Sequence, residues 1–383
     1  MIKTVLADTL LCAGCRACEQ VCAVHAISMV PSDEGFLYPH IDPETCVGCG
    51  RCRKVCPAHN PPEHRQPLEI YAAVHRDERI LTDSSSGGAF TALADLAFDK
   101  GGLAVGCVLD RDFRAKQVVV SDPQLLFECR GSKYIQSDTG NTFSAVKKVL
   151  DDGMSVFFSG TPCQVDGLYH FLGEHPERLL TCDVVCSGVS SPGVWGQLVR
   201  SMAYIKRQPP VDVCFCGKLP GEKDRRFRVR FAGGAQYDAP FGKSDFGRGL
   251  RQRLFLRPAC HRCPYTSTDR PADLTLGIYR DPPKDFHPEV PRYSISLLLV
   301  NSAKGAHYFD TLPLKREKLT LDQAVACAGA LSAPQEASGS REDFFAAFCQ
   351  QPFQQVRNRF LSASPLPQPL ERLRQLLKHP KEK

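Results

Sequence analysis

Two short runs of cysteine constrain this chain more than any other feature. Cys12, Cys15, Cys18 and Cys22 follow the pattern C-x2-C-x2-C-x3-C, and Cys46, Cys49, Cys52 and Cys56 repeat it, the second run ending in Cys56-Pro57. Thiolates at this spacing let a tight loop wrap one face of a four-iron cubane, while the fourth cysteine of each run reaches the other cluster. The spacing therefore assigns Cys12, Cys15, Cys18 and Cys56 to one [4Fe–4S] cluster, and Cys46, Cys49, Cys52 and Cys22 to a second. Gly14, Ala17, Gly48 and Gly50 suit a backbone that curls around sulfur and points N–H groups at it. Structural zinc is the competing use of C-x2-C units. It takes four cysteines as two spaced pairs and leaves the x3 step and the Cys-Pro ending without a reason.

Residues 12–56 resemble a bacterial two-cluster ferredoxin, with Ala23 where proline often follows the fourth cysteine. The chain has nineteen cysteines in 383 residues, too regularly placed for a disulfide scaffold. Thiols held for iron imply a reducing compartment, so the expected localisation is cytoplasmic. The net charge of +6 comes without a basic run interleaved with aromatics, which argues against nucleic acid as a partner. No membrane span is expected, because apolar segments such as 295–300 fall far short of about 18 residues. Leu11-Cys12-Ala13-Gly14-Cys15 superficially resembles a lipoprotein cleavage site, but the apolar stretch before it is short and broken by Asp8.

The expected fold class is α+β: a ferredoxin-like dicluster domain over 1–59, a linker over 60–70, a larger mixed α/β domain over 71–310, which the resemblance given below makes flavin-binding, and a helical C-terminal extension over 311–383. Residues 1–11 read as a first strand, and segments 26–29 and 36–38, parted by Asp33-Glu34-Gly35, read as a hairpin. The Pro-rich stretch 58–69 lacks apolar periodicity, as a linker does. Beyond it, strands are expected near 71–74, 103–109, 117–120, 155–158, 179–185, 211–216, 226–232, 273–278 and 294–300. Helices fall between several of them. From about 302 onward the pattern is mainly helical, closing on an amphipathic helix over 370–377.

Three constellations in the second part can carry chemistry. The Ser84–Gly88 turn precedes a helix, and its glycines would let backbone approach a flavin or nicotinamide diphosphate. The bland alternative is a serine-capped helix start. In Gly160-Thr161-Pro162-Cys163-Gln164, Thr161 serves as N-cap and Pro162 as the first helical residue, placing Cys163 where a helix dipole lowers a thiol pKa. Cys260-x2-Cys263 needs two more ligands, and Cys163 and Cys186 both follow buried strands. The four thiols could hold a further [4Fe–4S] cluster, a zinc clip or a redox disulfide. Arg248, Arg251, Arg253 and Arg257 could line an anion site or form an exposed helical face.

Residues 71–305 resemble the beta subunit family of coenzyme F420-reducing hydrogenases and dehydrogenases. The matching stretches are Ser85-Ser86-Gly87-Gly88, Gly131-Ser132-Lys133-Tyr134-Ile135-Gln136-Ser137, Phe158–Gln164, Asp183–Val189, Cys260-x2-Cys263-Pro264-Tyr265 and Arg270-x2-Asp273-Leu274-Thr275-Leu276-Gly277. The resemblance implies a flavin-dependent oxidoreductase. Ser86, Gly87, Gly88, Lys133, Tyr134 and Thr161 would bind FAD, and Cys163, Cys186, Cys260 and Cys263 would ligate a third [4Fe–4S] cluster beside it. It further implies ferredoxin or another redox protein as partner and a small-molecule two-electron substrate, either coenzyme F420 or another organic compound. No catalytic residue is singled out. Ile278-Tyr279-Arg280 and Ser187 depart from the family's usual residues near the flavin, so the resemblance leaves the hydride partner unnamed. The alternative function is a non-catalytic electron-transfer subunit serving a separate catalytic chain.

Overall fold

The hairpin expected after the first cysteine run forms as β1 (Ile27–Pro31) and β2 (Leu37–Ile41), antiparallel with Met29 opposite Pro39. Gly35 and Ser32 close its turn. The computed structural model describes residues 8–60, 65–217, 225–280 and 295–362. The predicted strand over 1–11 falls partly outside them, and its described end, residues 8–11, is a turn.

After the hairpin come β3 (Glu69–His75), β4 (Leu103–Leu109), β5 (Ala115–Val120), β6 (Val156–Gly160), β7 (Leu179–Val184), β8 (Pro210–Gly217), β9 (Arg226–Phe231), β10 (Gln236–Pro240), β11 (Leu274–Ile278), β12 (Ser296–Val300) and β13 (Leu314–Lys318). An eight-stranded mixed sheet runs β13-β3-β12-β11-β7-β6-β4-β5, and β10-β9-β8 form a separate antiparallel sheet. The chain is thus a mixed α/β protein with a ferredoxin-type N-terminal region.

The central strands are apolar at consecutive positions because both faces of the large sheet are covered. Along β12, Leu298 and Val300 join a core with the Ala89–Asp99 and Ala303–Phe309 helices, while Leu297 and Leu299 pack with Ile70, Ala72 and Val74 on the other side. Phe157 and Phe158 divide in the same way, Phe158 lying under the Thr142–Asp151 and Pro162–Leu172 helices.

Two strands escape the sequence pattern. β10 is polar and half-exposed. β13 lies in the stretch expected to be helical, yet it pairs antiparallel with β3. As an edge strand it needs only backbone pairing, and Lys315, Arg316, Glu317 and Lys318 turn to water. Helices Leu321–Cys327 and Arg341–Gln350 follow it. The helix predicted over 370–377 lies outside the described residues.

The ferredoxin-type region shares the protein's cores. Ala17 and Val55 are buried in one cluster with Phe143, Val165 and Leu168. Phe36 is buried among Trp195, Phe215, Phe246 and Phe255. A large apolar side chain buried in this way contributes about 1.5–3 kcal/mol. Arg65, within the expected linker, exchanges backbone hydrogen bonds with Arg270 and places its guanidinium 3.5 Å from Asp273. Arg341 grips the Glu34 carboxylate with two N–H groups, at 2.9 and 2.5 Å.

Candidate metal centre

Strands β6 and β7 are parallel neighbours with Gly160 opposite Asp183, so the chain leaves both at the same sheet edge. Thr161 caps the Pro162–Leu172 helix as expected, with Gln164 accepting the Thr161 N–H at 3.0 Å to complete a capping box. Cys163 stands in the first turn, its sulfur 3.2 Å from the Thr161 hydroxyl. Cys186 follows β7. The segment after it pairs with residues 255–257: Ser191 N–H donates to Phe255 O at 2.9 Å and Arg257 N–H to Val189 O at 3.0 Å. That pairing carries the 3₁₀ turn Pro258–Arg262, and with it Cys260 and Cys263, to the same place.

One cavity of about 300 Å³ is walled by Cys163, Cys186, Cys260 and Cys263 on one side and by Cys12, Cys15, Cys18 and Cys56 on the other. The structure thus brings together the four thiols of the proposed third site and the four that spacing assigns to the first cluster. Cys22, Cys46, Cys49 and Cys52 gather around a second, smaller cavity with Ile27, Ile41 and Val47. This is the division that crossing of the fourth cysteines would give.

Two glycines make the approach possible. Gly14 has φ +70°, and a Cβ on it would lie 3.0 Å from the Arg257 guanidinium carbon. Gly167, four residues beyond Cys163 on its helix, would put a Cβ 2.9 Å from the Cys15 sulfur. The first cysteine loop therefore rests directly on the helix that presents Cys163. Gln136 Nε2 donates to Ala13 O at 3.1 Å and the Thr139 hydroxyl to Cys15 O at 2.9 Å, tying the loop down from a second segment.

Burial dominates the electrostatics. Desolvation, with neighbouring thiols adding to it, pushes Cys15 and Cys260 up to about 12 and Cys186 up to about 11. Cys163 is pushed well above its ordinary value, first by burial and then by Cys263. The expected lowering by the helix dipole is outweighed, because the whole thiol is removed from water. Such thiols ionise on binding metal, so loading the site releases protons. Asp166, close enough to raise the Cys15 and Cys56 thiols, is buried, accepting from the Tyr265 hydroxyl at 2.5 Å and facing His170 Nδ1 at 3.1 Å.

Among the described residues no group of three or more His, Cys, Asp or Glu side chains is arranged to hold a single metal ion.

The predicted flavin residues meet only in part. The Ser85 and Ser132 hydroxyls lie 3.2 Å apart, which joins the Ser84–Gly88 turn to the Gly131–Ser137 segment. The Ser86 hydroxyl is 3.1 Å from that of Ser296. Gly87 packs closely on the sheet. A Cβ there would strike the Ala73 carbonyl oxygen and the Ser296 amide, so the missing side chain lets the turn close on the sheet. Gly88, at φ +82°, starts the Ala89–Asp99 helix against His75. Lys133 directs its ammonium to Glu128 O at 2.7 Å and Arg130 O at 2.8 Å, and burial lowers its pKa. The Tyr134 hydroxyl lies 3.3 Å from Cys216. Thr161 stands apart from this group, at the cysteine cavity.

The four arginines do not form one anion site. Arg248 binds Asp245, Arg251 reaches Gly242 O and Arg253 reaches Glu336 O. Arg257 alone enters the cavity wall, and sequence reasoning missed its role, together with those of Gln136 and Asp166. A signal was present for Arg257: it follows Leu254-Phe255-Leu256, all three buried.

Comparisons with known proteins identify both parts of the chain. Residues 11–60 match the 4Fe-4S dicluster domain, and a second description of that domain type matches 38–89. Residues 70–143 and 153–326 match the N-terminal and C-terminal parts of the coenzyme F420 hydrogenase/dehydrogenase, beta subunit. No curated protein matches the chain. Among solved structures, a chain of the xenon-derivatised F420-reducing [NiFe] hydrogenase complex from Methanosarcina barkeri is 20% identical, with a TM-score of 0.49, over 70% of this chain and 89% of that one. Among the described residues no helix is long and apolar enough to cross a membrane. The chain belongs to the coenzyme F420 hydrogenase/dehydrogenase beta subunit family and carries a 4Fe–4S dicluster domain at its N-terminus.

Proposed function

We propose that the protein is an iron–sulfur flavoenzyme that moves electrons between a redox-protein partner and a small two-electron substrate, coenzyme F420 or another organic compound. FAD would supply the exchange between hydride and single electrons, and [4Fe–4S] clusters the one-electron steps. Cys12, Cys15, Cys18 and Cys56 would hold an inner cluster, Cys22, Cys46, Cys49 and Cys52 an outer one, and Cys163, Cys186, Cys260 and Cys263 a third. The observation that carries this reading is the single cavity walled by the inner and third sets. The protein's own work there is to exclude water, to fix the thiols on a sheet edge and a helix start, and to aim N–H groups at sulfur. Gly188 N–H, for example, lies 3.4 Å from the Cys186 sulfur.

The outer set supplies the port. Cys49 is exposed, and Arg51, Arg53 and Lys54 beside it are exposed as well. An acidic electron carrier would dock on that face. Ser86, Gly87, Gly88, Lys133, Tyr134 and Thr161 remain the FAD candidates, supported by the resemblance and by the Ser85–Ser132 contact.

A second reading, an electron-transfer subunit without flavin, is favoured by Gly87 packing on the sheet and by Lys133 spending its donors on carbonyls. Anaerobic purification with metal and flavin analysis separates the two. About twelve irons and one FAD support the flavoenzyme, and about eight irons without flavin overturn it. Cys163→Ser should lose about four irons while the spectra of the N-terminal clusters persist. An unchanged iron count and EPR signal would remove the third cluster from the proposal.

A further inference from the structure

Two arginines are fully buried among the described residues, and they differ in one respect. Arg270, 0% exposed, has the Asp183 carboxylate at 2.8 Å. Arg257, 1% exposed, has no carboxylate at ion-pair distance among the described residues. Each of its three nitrogens nonetheless donates a hydrogen bond. Nε donates to Cys12 O at 2.6 Å, one terminal nitrogen to Gln136 Oε1 at 2.7 Å, and the other to Leu37 O at 3.0 Å and to the Cys12 sulfur at 3.6 Å. The guanidinium lies over the Tyr38 ring at 4.3 Å, with Gly14 beside it.

Hydrogen bonds satisfy donors, but they do not neutralise a buried charge, and an unpaired buried guanidinium is strongly disfavoured. A neutral Cys12 thiol supplies no counter-charge. A cubane with four thiolates does, being net negative when oxidised and more so when reduced. The carboxylates near the inner set have partners of their own, and Arg262 is a further cation in the cavity wall. Arg16 pairs with Glu19 and Asp138, and Asp166 faces Tyr265 and His170.

We propose that Arg257 is the counter-charge of the site formed by Cys12, Cys15, Cys18 and Cys56, an inference that rests on those cysteines holding a cluster. Arg257 is a positioning residue. It favours the state with one added electron, so an electron delivered by a one-electron carrier at the outer set comes to rest at the inner one, against the Cys163 side of the cavity. No bond or proton changes hands in that step. The donor loses one electron and the inner site gains it.

The test compares Arg257→Gln and Arg257→Lys with the unaltered full chain, by iron analysis and by dithionite redox titration followed by EPR. Iron content of the unaltered chain is measured first. About eight irons or more establishes the N-terminal clusters whether or not the third exists, so failure of the wider functional reading stays distinguishable from failure of this one. Arg257→Gln is expected to keep its iron and to lower the potential of one cluster. The ratio of reduced to oxidised cluster at fixed potential should fall at least tenfold, about 59 mV for one electron. Arg257→Lys should lie closer to the unaltered chain. Iron lost in Arg257→Gln but kept in Arg257→Lys supports the proposal equally. Iron kept with unchanged potentials overturns it. Equal iron loss, or equal potential shifts, in both variants overturns it too, because the side chain would then act by shape and not by charge.

Discussion

Gly167 gives the sharpest test of how the cysteine loop and the Cys163 helix are joined. In an ordinary helix interior, glycine to alanine gains about 1 kcal/mol. Gly196, inside the Pro192–Lys206 helix, is such a site, since a Cβ there would meet nothing nearer than an Arg200 nitrogen at 3.5 Å. Gly167 is not. Its Cβ would lie 2.9 Å from Cys15 Sγ and 3.0 Å from Cys15 Cβ. With Cys15 held by iron, as proposed, its thiol could not swing aside, so the helix and the loop would have to part. Overpacking of this kind costs about 1–3 kcal/mol. Gly196→Ala should therefore stabilise by about 1 kcal/mol, whereas Gly167→Ala should range from no gain to a loss of about 2 kcal/mol. The gap between the variants, about 1–3 kcal/mol, is a factor of about 5 to 150 in an equilibrium constant. Urea unfolding of anaerobically purified protein measures it, with iron release to a chelator as a second readout. If Gly167→Ala gains as much as Gly196→Ala, the loop does not rest on the helix as described.

Three further outcomes follow from the structure. If the fourth cysteines cross, Cys12→Ser combined with Cys56→Ser should lose about four irons, no more than either alone, whereas Cys12→Ser with Cys22→Ser should lose about eight; the reverse pattern means that each run holds its own cluster. Arg270→Met should destabilise by about 3–5 kcal/mol by leaving buried Asp183 unpaired, and adding Asp183→Leu should restore most of that; a single-variant loss below about 1 kcal/mol in urea unfolding contradicts the pairing. Burial holds the His75 imidazole below its ordinary 6.5. The unfolded chain then takes up a proton that the folded one refuses. That contribution is complete above about pH 6.5 and is lost as pH falls through the folded value. The native protein should lose stability relative to His75→Gln between about pH 7 and 5, and a constant difference would count against it.

The legibility of the chain followed the stiffness of the chemistry. Iron needs thiols at fixed steps, so all eight N-terminal cysteines and their division between two cavities could be read directly. Thr161, Pro162 and Gln164 announced a helix start because capping is local. The four-cysteine site needed more, since Cys186 meets Cys260 and Cys263 only through the pairing of 189–191 with 255–257. Gly87 is ambiguous from sequence, because a glycine beside a helix start serves a phosphate or a packed strand equally well, and here it packs on the sheet. β13 was hidden because a charged edge strand has no apolar period. Arg257 was read as one of four similar arginines, although the apolar run Leu254-Phe255-Leu256 before it sets it apart from the other three.

The Pro162–Leu172 helix contacts Cys15 through Gly167 and presents Cys163 one turn away. Four residues of helix span about 6 Å. The separation of the two cysteine groups is thus set by a rigid rod, and the N-terminal region is no swinging arm on a tether. Transfer between the two sides should then be insensitive to solvent viscosity, because no diffusive excursion precedes it. The inner cysteines would then keep one spacing to the Cys163 side, whatever partner meets the exposed Cys49 face.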